Sequence, residues 1–106
     1  MVSNYDVARI FLEMAEALSL RGENAFRIHA YENAARTILS LNEPLADIRA
    51  RGELMALPGI GERMAEKICE ILDTGHLRQH DELVRQFPPG VMQLMTIPDI
   101  GPRTAE

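Results

Sequence analysis

With 106 residues and 46% hydrophobic content, the chain has material for one domain with a single core and needs neither disulfides nor metal to fold. The lone Cys69 rules out an intramolecular disulfide, and the chain holds neither a signal peptide nor an apolar run of bilayer-spanning length, so a soluble, cytoplasmic protein without membrane contact is expected. A net charge of -5 excludes a broad basic surface; any contact with nucleic acid must be local, weak for this chain alone and steeply salt dependent.

In chain order, the pattern predicts an all-α fold: a compact helical bundle. Ser3 is placed to cap a first helix with Asp6 in its first turn, and Val7, Ile10, Phe11, Met14 and Leu18 recur at helical spacing until Gly22. Asn24 is placed to cap a second helix whose expected buried face is Phe26, Ala30, Ala34, Ile38 and Leu41, with Arg27, Tyr31 and Arg36 elsewhere on its surface. Pro44 opens a short third helix with Leu45 and Ile48 inward, Gly52 breaks it, and Glu53 to Ala56 add one turn. A further helix runs from Glu62 to Thr74, with Met64, Ala65, Ile68, Ile71 and Leu72 apolar and Gly75 as its stop. Cys69, between Ile68 and Ile71, reads as a buried small hydrophobe. The last helix before Pro88-Pro89-Gly90 carries Leu77, Leu83, Val84 and Phe87. His29, His76 and His80 have no metal-like company and read as ordinary surface or helix-end residues.

The stretch Leu57-Pro58-Gly59-Ile60-Gly61-Glu62-Arg63 is the most informative in the chain. Pro58 can begin a tight turn, Gly59 and Gly61 can take backbone angles closed to other residues, and Ile60 can plug the turn onto a core. Two helices joined this way form a helix-hairpin-helix. The N–H groups of the turn and of the next helix's first turn lack intrahelical partners, and the helix dipole favours an anion there, so phosphate is the natural ligand. Turn chemistry alone fits a plain connection equally well; a repeat argues otherwise. Ile97-Pro98-Asp99-Ile100-Gly101-Pro102-Arg103-Thr104-Ala105-Glu106 restates the motif forty residues on, with Asp99 in place of the first glycine. Two such units suit two contacts along one polymer. The expected organisation is therefore a helical domain over residues 1–87 and the beginning of a second hairpin unit over residues 88–106, whose missing partner helix marks the chain as a fragment of something longer.

Asn24-Ala25-Phe26-Arg27-Ile28-His29-Ala30-Tyr31 with Ala34-Ala35 and Ile38, then Leu57-Pro58-Gly59-Ile60-Gly61 with Ala65-Glu66-Lys67-Ile68, then Thr74-Gly75 and Leu77, resembles the amino-terminal domain of family X DNA polymerases, in its bacterial and archaeal form. The resemblance covers nearly the whole chain. It implies a DNA repair module, of the kind used in base excision repair, that binds gapped or nicked DNA without sequence preference and holds its 5′-phosphate. The polymerase core and, in many members, a phosphoesterase domain would follow in the parent chain; the domain itself is expected to be a monomer at the nucleoid. Carried over residue by residue, the DNA and phosphate contacts fall on Arg27, Gly59, Ile60, Gly61, Arg63, Lys67, Gly101 and Arg103.

In some members the same domain is a 5′-deoxyribose phosphate lyase. The resemblance then makes Lys67 the Schiff-base nucleophile, with Glu66 beside it and Tyr31 nearby. Lys67 is the sole lysine against ten arginines, and only lysine can lose its proton near neutrality to attack an aldehyde. Gln79 and Met55 depart from the lyase pattern, where active members often have lysines. Phe26 replaces a histidine that can stack on a template base, although its place in the helical stripe assigns it to the core. The resemblance also implies a monovalent cation, sodium or potassium, on the backbone carbonyls of Met55, Leu57 and Ile60, and likewise of Met95, Ile97 and Ile100. A third reading, a helical protein-interaction module, follows from the acidic charge and the six methionines.

Overall fold

The computed structural model describes residues 2–86. Five helices carry the chain: α1 (Asn4–Leu20), α2 (Ala25–Leu39), α3 (Leu45–Ala50), α4 (Glu62–Thr74) and α5 (Arg78–Val84), with a 3-10 turn at Leu54–Ala56 before α4. No strand occurs among the described residues, and no helix among them is long and apolar enough to cross a membrane. The expected boundary after residue 87 and the second hairpin unit, with Met95, Ile97, Ile100, Gly101 and Arg103, lie outside the described residues.

Helix α1 is the pillar of the bundle. Ser3 begins it with a reciprocal cap: its hydroxyl accepts from the Asp6 N–H at 3.1 Å, and its own N–H donates to the Asp6 carboxylate at 2.9 Å. Val7, Ile10, Phe11, Met14 and Leu18 are all buried as the spacing predicts, and each such side chain removed from water stabilises the fold by about 1.5–3 kcal/mol. The helix packs along α2 and also touches α4 and α5. Asn4 fastens its first turn to the chain before α3, donating to the Glu43 carbonyl and accepting from the Leu45 N–H, both at 2.8 Å. Nothing in the local pattern signals that long-range clasp.

Helix α2 corrects the sequence reading at Phe26, Tyr31 and Leu41, and Ala30 is only partly buried. Its N-cap is Asn24, whose side chain accepts from the Phe26 N–H. The buried face, however, is Tyr31, Ala34, Ala35 and Ile38, while Phe26 stands 86% exposed and Leu41 is only partly buried beyond the helix end. A strict four-residue spacing drifts about 40° at each step, so Phe26 and Ile38 lie about 120° apart and cannot share one contact stripe. Tyr31, assigned to the surface, is instead 3% exposed and meets Phe11 edge to face, with ring centroids 5.6 Å apart.

Helix α3 is held from both sides by arginines. Arg49 forks onto Asp73 of α4, and Arg51 bridges Glu43 and Glu53. Gly75 ends α4 in the left-handed conformation at φ 80°, with its N–H returned to the Ile71 carbonyl. Cys69 is a free thiol only partly buried, not fully as expected. His80 of α5 is likewise more than a surface residue: its Nε2 lies 2.7 Å from Glu13 of α1, and both side chains are nearly sealed from solvent. Glu13 also holds Arg9 at 3.2 Å.

Candidate nucleic-acid interface

The hairpin is built from the inside outward. Ile60 is buried and its N–H closes the turn onto the Leu57 carbonyl at 3.1 Å. Pro58 presents its carbonyl to α2, where the Thr37 hydroxyl donates to it at 2.7 Å. Gly59 takes φ 79°, a left-handed angle that disfavours any side chain, and its backbone lies against Asn33 and Ala34 of α2. Gly61 differs from the expectation. Its φ of -89° and ψ of -169° are extended backbone open to any residue, and a Cβ there would meet nothing within 4 Å. What glycine leaves at that position is an uncovered approach to the backbone.

Gly61 is the N-cap of α4 and supplies no side-chain acceptor. The N–H groups of Gly59, Gly61, Glu62 and Arg63 accordingly find no acceptor among the described residues. Four donors, the positive end of a thirteen-residue helix and open space above Gly61 together suit an oxyanion. Glu62, exposed in the first turn of α4, is the one negative side chain on that turn.

Helices α2 and α4 gather the cationic residues. Lys67, one turn beyond Arg63 on α4, is half-buried, and burial pushes its amine below the ordinary lysine range; the charges of Arg27 on α2 and of Arg63 push the same way, against Glu66 and Glu70. Burial raises the Tyr31 phenol, while the neighbouring Arg27 guanidinium pulls the other way. The net rise keeps Tyr31 protonated at neutral pH, able to donate a hydrogen bond and unfit as a base. Arg27, Tyr31, Arg63, Lys67 and Glu66 are thus brought into one neighbourhood. Phe26 is exposed one residue before Arg27.

Two further features lay outside the motif reading. Arg27 is paired: its Nη1 lies 3.5 Å from Glu23, which also lies 3.5 Å from Arg21. Arg21, Arg27, Gln79 and Gln86 line a surface cavity of about 120 Å³ between the end of α1, the start of α2 and α5. The four-residue interval from Glu23 to Arg27 carries the signal for the first pairing; nothing in the sequence brings Gln79 and Gln86 to the same place.

The hairpin carbonyls bear on cation binding. Leu57 accepts from Ile60, whereas the Met55 and Ile60 carbonyls have no donor among the described residues. Neutral, hard oxygen donors without a hydrogen-bond partner fit a monovalent cation. No group of three or more His, Cys, Asp or Glu side chains suited to a metal ion occurs among the described residues.

Residues 2–77 match the helix-hairpin-helix domain family, and residues 52–106 match the SAM-like helix-hairpin-helix tandem family, a match that takes in the second copy of the motif. The chain is 34% identical over 94 residues to DNA polymerase lambda of Rattus norvegicus, covering 88% of this chain and 15% of that protein. It is 27% identical over 96 residues to the DNA polymerase/3'-5' exonuclease PolX of Bacillus subtilis (strain 168), covering 91% of this chain and 16% of that protein. The chain therefore spans only a small part of the length of these relatives.

Proposed function

The chain belongs to the helix-hairpin-helix family, in the form that family X DNA polymerases carry as their amino-terminal domain, and from that premise we propose that it grips the 5′-phosphate side of gapped or nicked DNA within a repair polymerase. The observation that carries this reading is that the hairpin donors left without acceptors open the helix that bears Arg63 and, one turn on, Lys67, with the charge of Arg27 on α2 near enough to act on the lysine. The hairpin N–H groups take a backbone phosphate, and the cationic cluster takes the strand's terminal phosphate. The Met55, Leu57 and Ile60 carbonyls would hold a sodium or potassium ion, which would supply positive charge at the hairpin. Contacts of this kind read backbone geometry and not base edges, so binding is indifferent to sequence. The other domains of the parent protein supply polymerisation. The chain should bind gapped DNA bearing a 5′-phosphate more tightly than the same DNA ending in a hydroxyl, in a fluorescence anisotropy titration at fixed salt. Equal affinities would overturn the reading.

The environment of Lys67 favours a second activity on the same site, removal of a 5′-deoxyribose phosphate. The Nζ amine adds to the C1′ aldehyde and water leaves, giving an imine. Loss of the C2′ proton then expels the phosphate on C3′, and hydrolysis of the imine returns the lysine. A half-buried amine held below the ordinary lysine range is uncharged for a larger fraction of the time at neutral pH, as the attack requires. Borohydride added to the chain and a deoxyribose phosphate-ended gap should trap a covalent adduct, lost in Lys67→Ala. Absence of the adduct while anisotropy confirms binding in the same sample would leave a purely binding module.

A further inference from the structure

Arg27 does not face solvent unopposed. Glu23 presents one carboxylate oxygen to the Arg27 Nη1 and the other to the Arg21 Nη2, each at 3.5 Å. The carboxylate is carried on a tightly defined turn: Gly22 takes φ 73°, the Glu23 N–H returns to the Leu18 carbonyl at 3.0 Å, and Asn24 caps α2 immediately afterwards. Both arginines also line the cavity, opposite Gln79 and Glu82 of α5 and Gln86 just beyond it. Two arginines sharing one carboxylate on the wall of a cavity that contains two amides form an arrangement that a phosphate can enter.

We propose that Arg21 is a second phosphate-binding residue beside Arg27, and that Glu23 is a built-in carboxylate which the terminal phosphate of the strand displaces. The inference rests on the reading of the site given above and adds the residues that set its affinity. Charge-assisted N–H···O bonds close to 2.7–2.9 Å where both partners are free to settle. At 3.5 Å from each arginine, Glu23 satisfies neither well. Such partly exposed pairs are worth little, so breaking them costs little. A terminal phosphate brings up to two negative charges and three acceptor oxygens and can engage both guanidiniums at once. Glu23 meanwhile keeps the two arginines from repelling one another in the free protein. Every phosphate that binds must displace this carboxylate, which lowers the apparent affinity. Glu82, on the cavity wall, adds a second negative charge near the incoming ligand.

The test measures the affinity ratio between 5′-phosphate and 5′-hydroxyl gapped DNA for the whole chain, by anisotropy at one ionic strength. Arg21→Gln should reduce the ratio about tenfold, the loss expected for one hydrogen bond to a charged group, and Arg21→Lys should restore part of it. Glu23→Gln should change the ratio in the opposite direction, raising it severalfold. Arg21 and Glu23 are surface groups, and matching melting curves would establish that the variants are folded. A wild-type ratio well above one that neither Arg21→Gln nor Glu23→Gln alters would overturn this inference and leave phosphate binding intact. A wild-type ratio of one would remove the reading beneath it and the inference together.

Discussion

Phe26 and Tyr31 exchange the roles that residue type alone assigns them. The phenol is in the core and the phenylalanine is in water, because the contact stripe of α2 follows the helix's true pitch and not a run of four-residue intervals. An aromatic ring left 86% exposed one residue before Arg27 is available to a base at the edge of a gap. Phe26→Ala should therefore leave thermal stability within about 0.5 kcal/mol of the wild type, as for other surface changes, while weakening binding to gapped DNA about tenfold, within the range measured for one stacked base. A melting curve and an anisotropy titration check both halves. A large loss of stability would return Phe26 to the core. Lys67 stood out in the sequence as the sole lysine, at a position the resemblance marks; the pairing of Arg21 with Glu23 beside a cavity assembled from three helices left no mark there.

At the scale of elements, the helix ends were the most legible part of the chain. The side chains of Ser3 and Asn24 cap their helices, Gly75 stops α4 through its left-handed backbone, and the expected limits of α4 coincide with the observed ones. Local chemistry suffices for a helix end because its partners lie within a turn. The clasp of Asn4 on Glu43 and Leu45 spans about forty residues and leaves no local trace. The hairpin glycines show the same division. Both suit a turn, yet only Gly59 needs its freedom of φ. Gly59→Ala should destabilise the domain by about 1–2 kcal/mol, the cost of a left-handed angle for a residue with a Cβ. Gly61→Ala should leave stability almost unchanged and weaken DNA binding by narrowing the approach to the uncapped donors. Denaturant melts paired with anisotropy separate the two effects; equal stability losses would contradict the assignment.

For the molecule as a whole, an acidic chain can meet DNA only through local positive spots. Arg9, Arg49 and Arg51 hold carboxylates that brace the helices and Arg27 is opposed by Glu23, so Arg63 and Lys67 on α4 are the cations of the cluster with no ion-pair partner among the described residues. Acid stability offers a separate test of the bundle. Burial raises the Glu13 carboxyl, but its hydrogen bond to His80 and the charge of Arg9 outweigh this and hold it below 4.5. A carboxylate depressed in the folded state contributes stability above its unfolded pKa and loses it as pH falls through the folded one. The melting temperature should therefore fall as pH drops below about 4.5, and Glu13→Gln should shrink that fall while lowering the melting point at pH 7. An unchanged acid profile in Glu13→Gln would show that the α1–α5 contact carries no such linkage. The same contact bears on how the chain comes into being. Glu13 is made 67 residues before His80, so among the described helices α1 is the earliest made and its contact with α5 the last it can form. The α1–α2 pair forms from near neighbours, while the far wall of the cavity must wait for α5. A chain ending before residue 78 would hold every residue of the hairpin and of the cationic cluster yet lack the α5 side of the cavity, so the shape of that cavity is the last local feature that synthesis of the described residues completes.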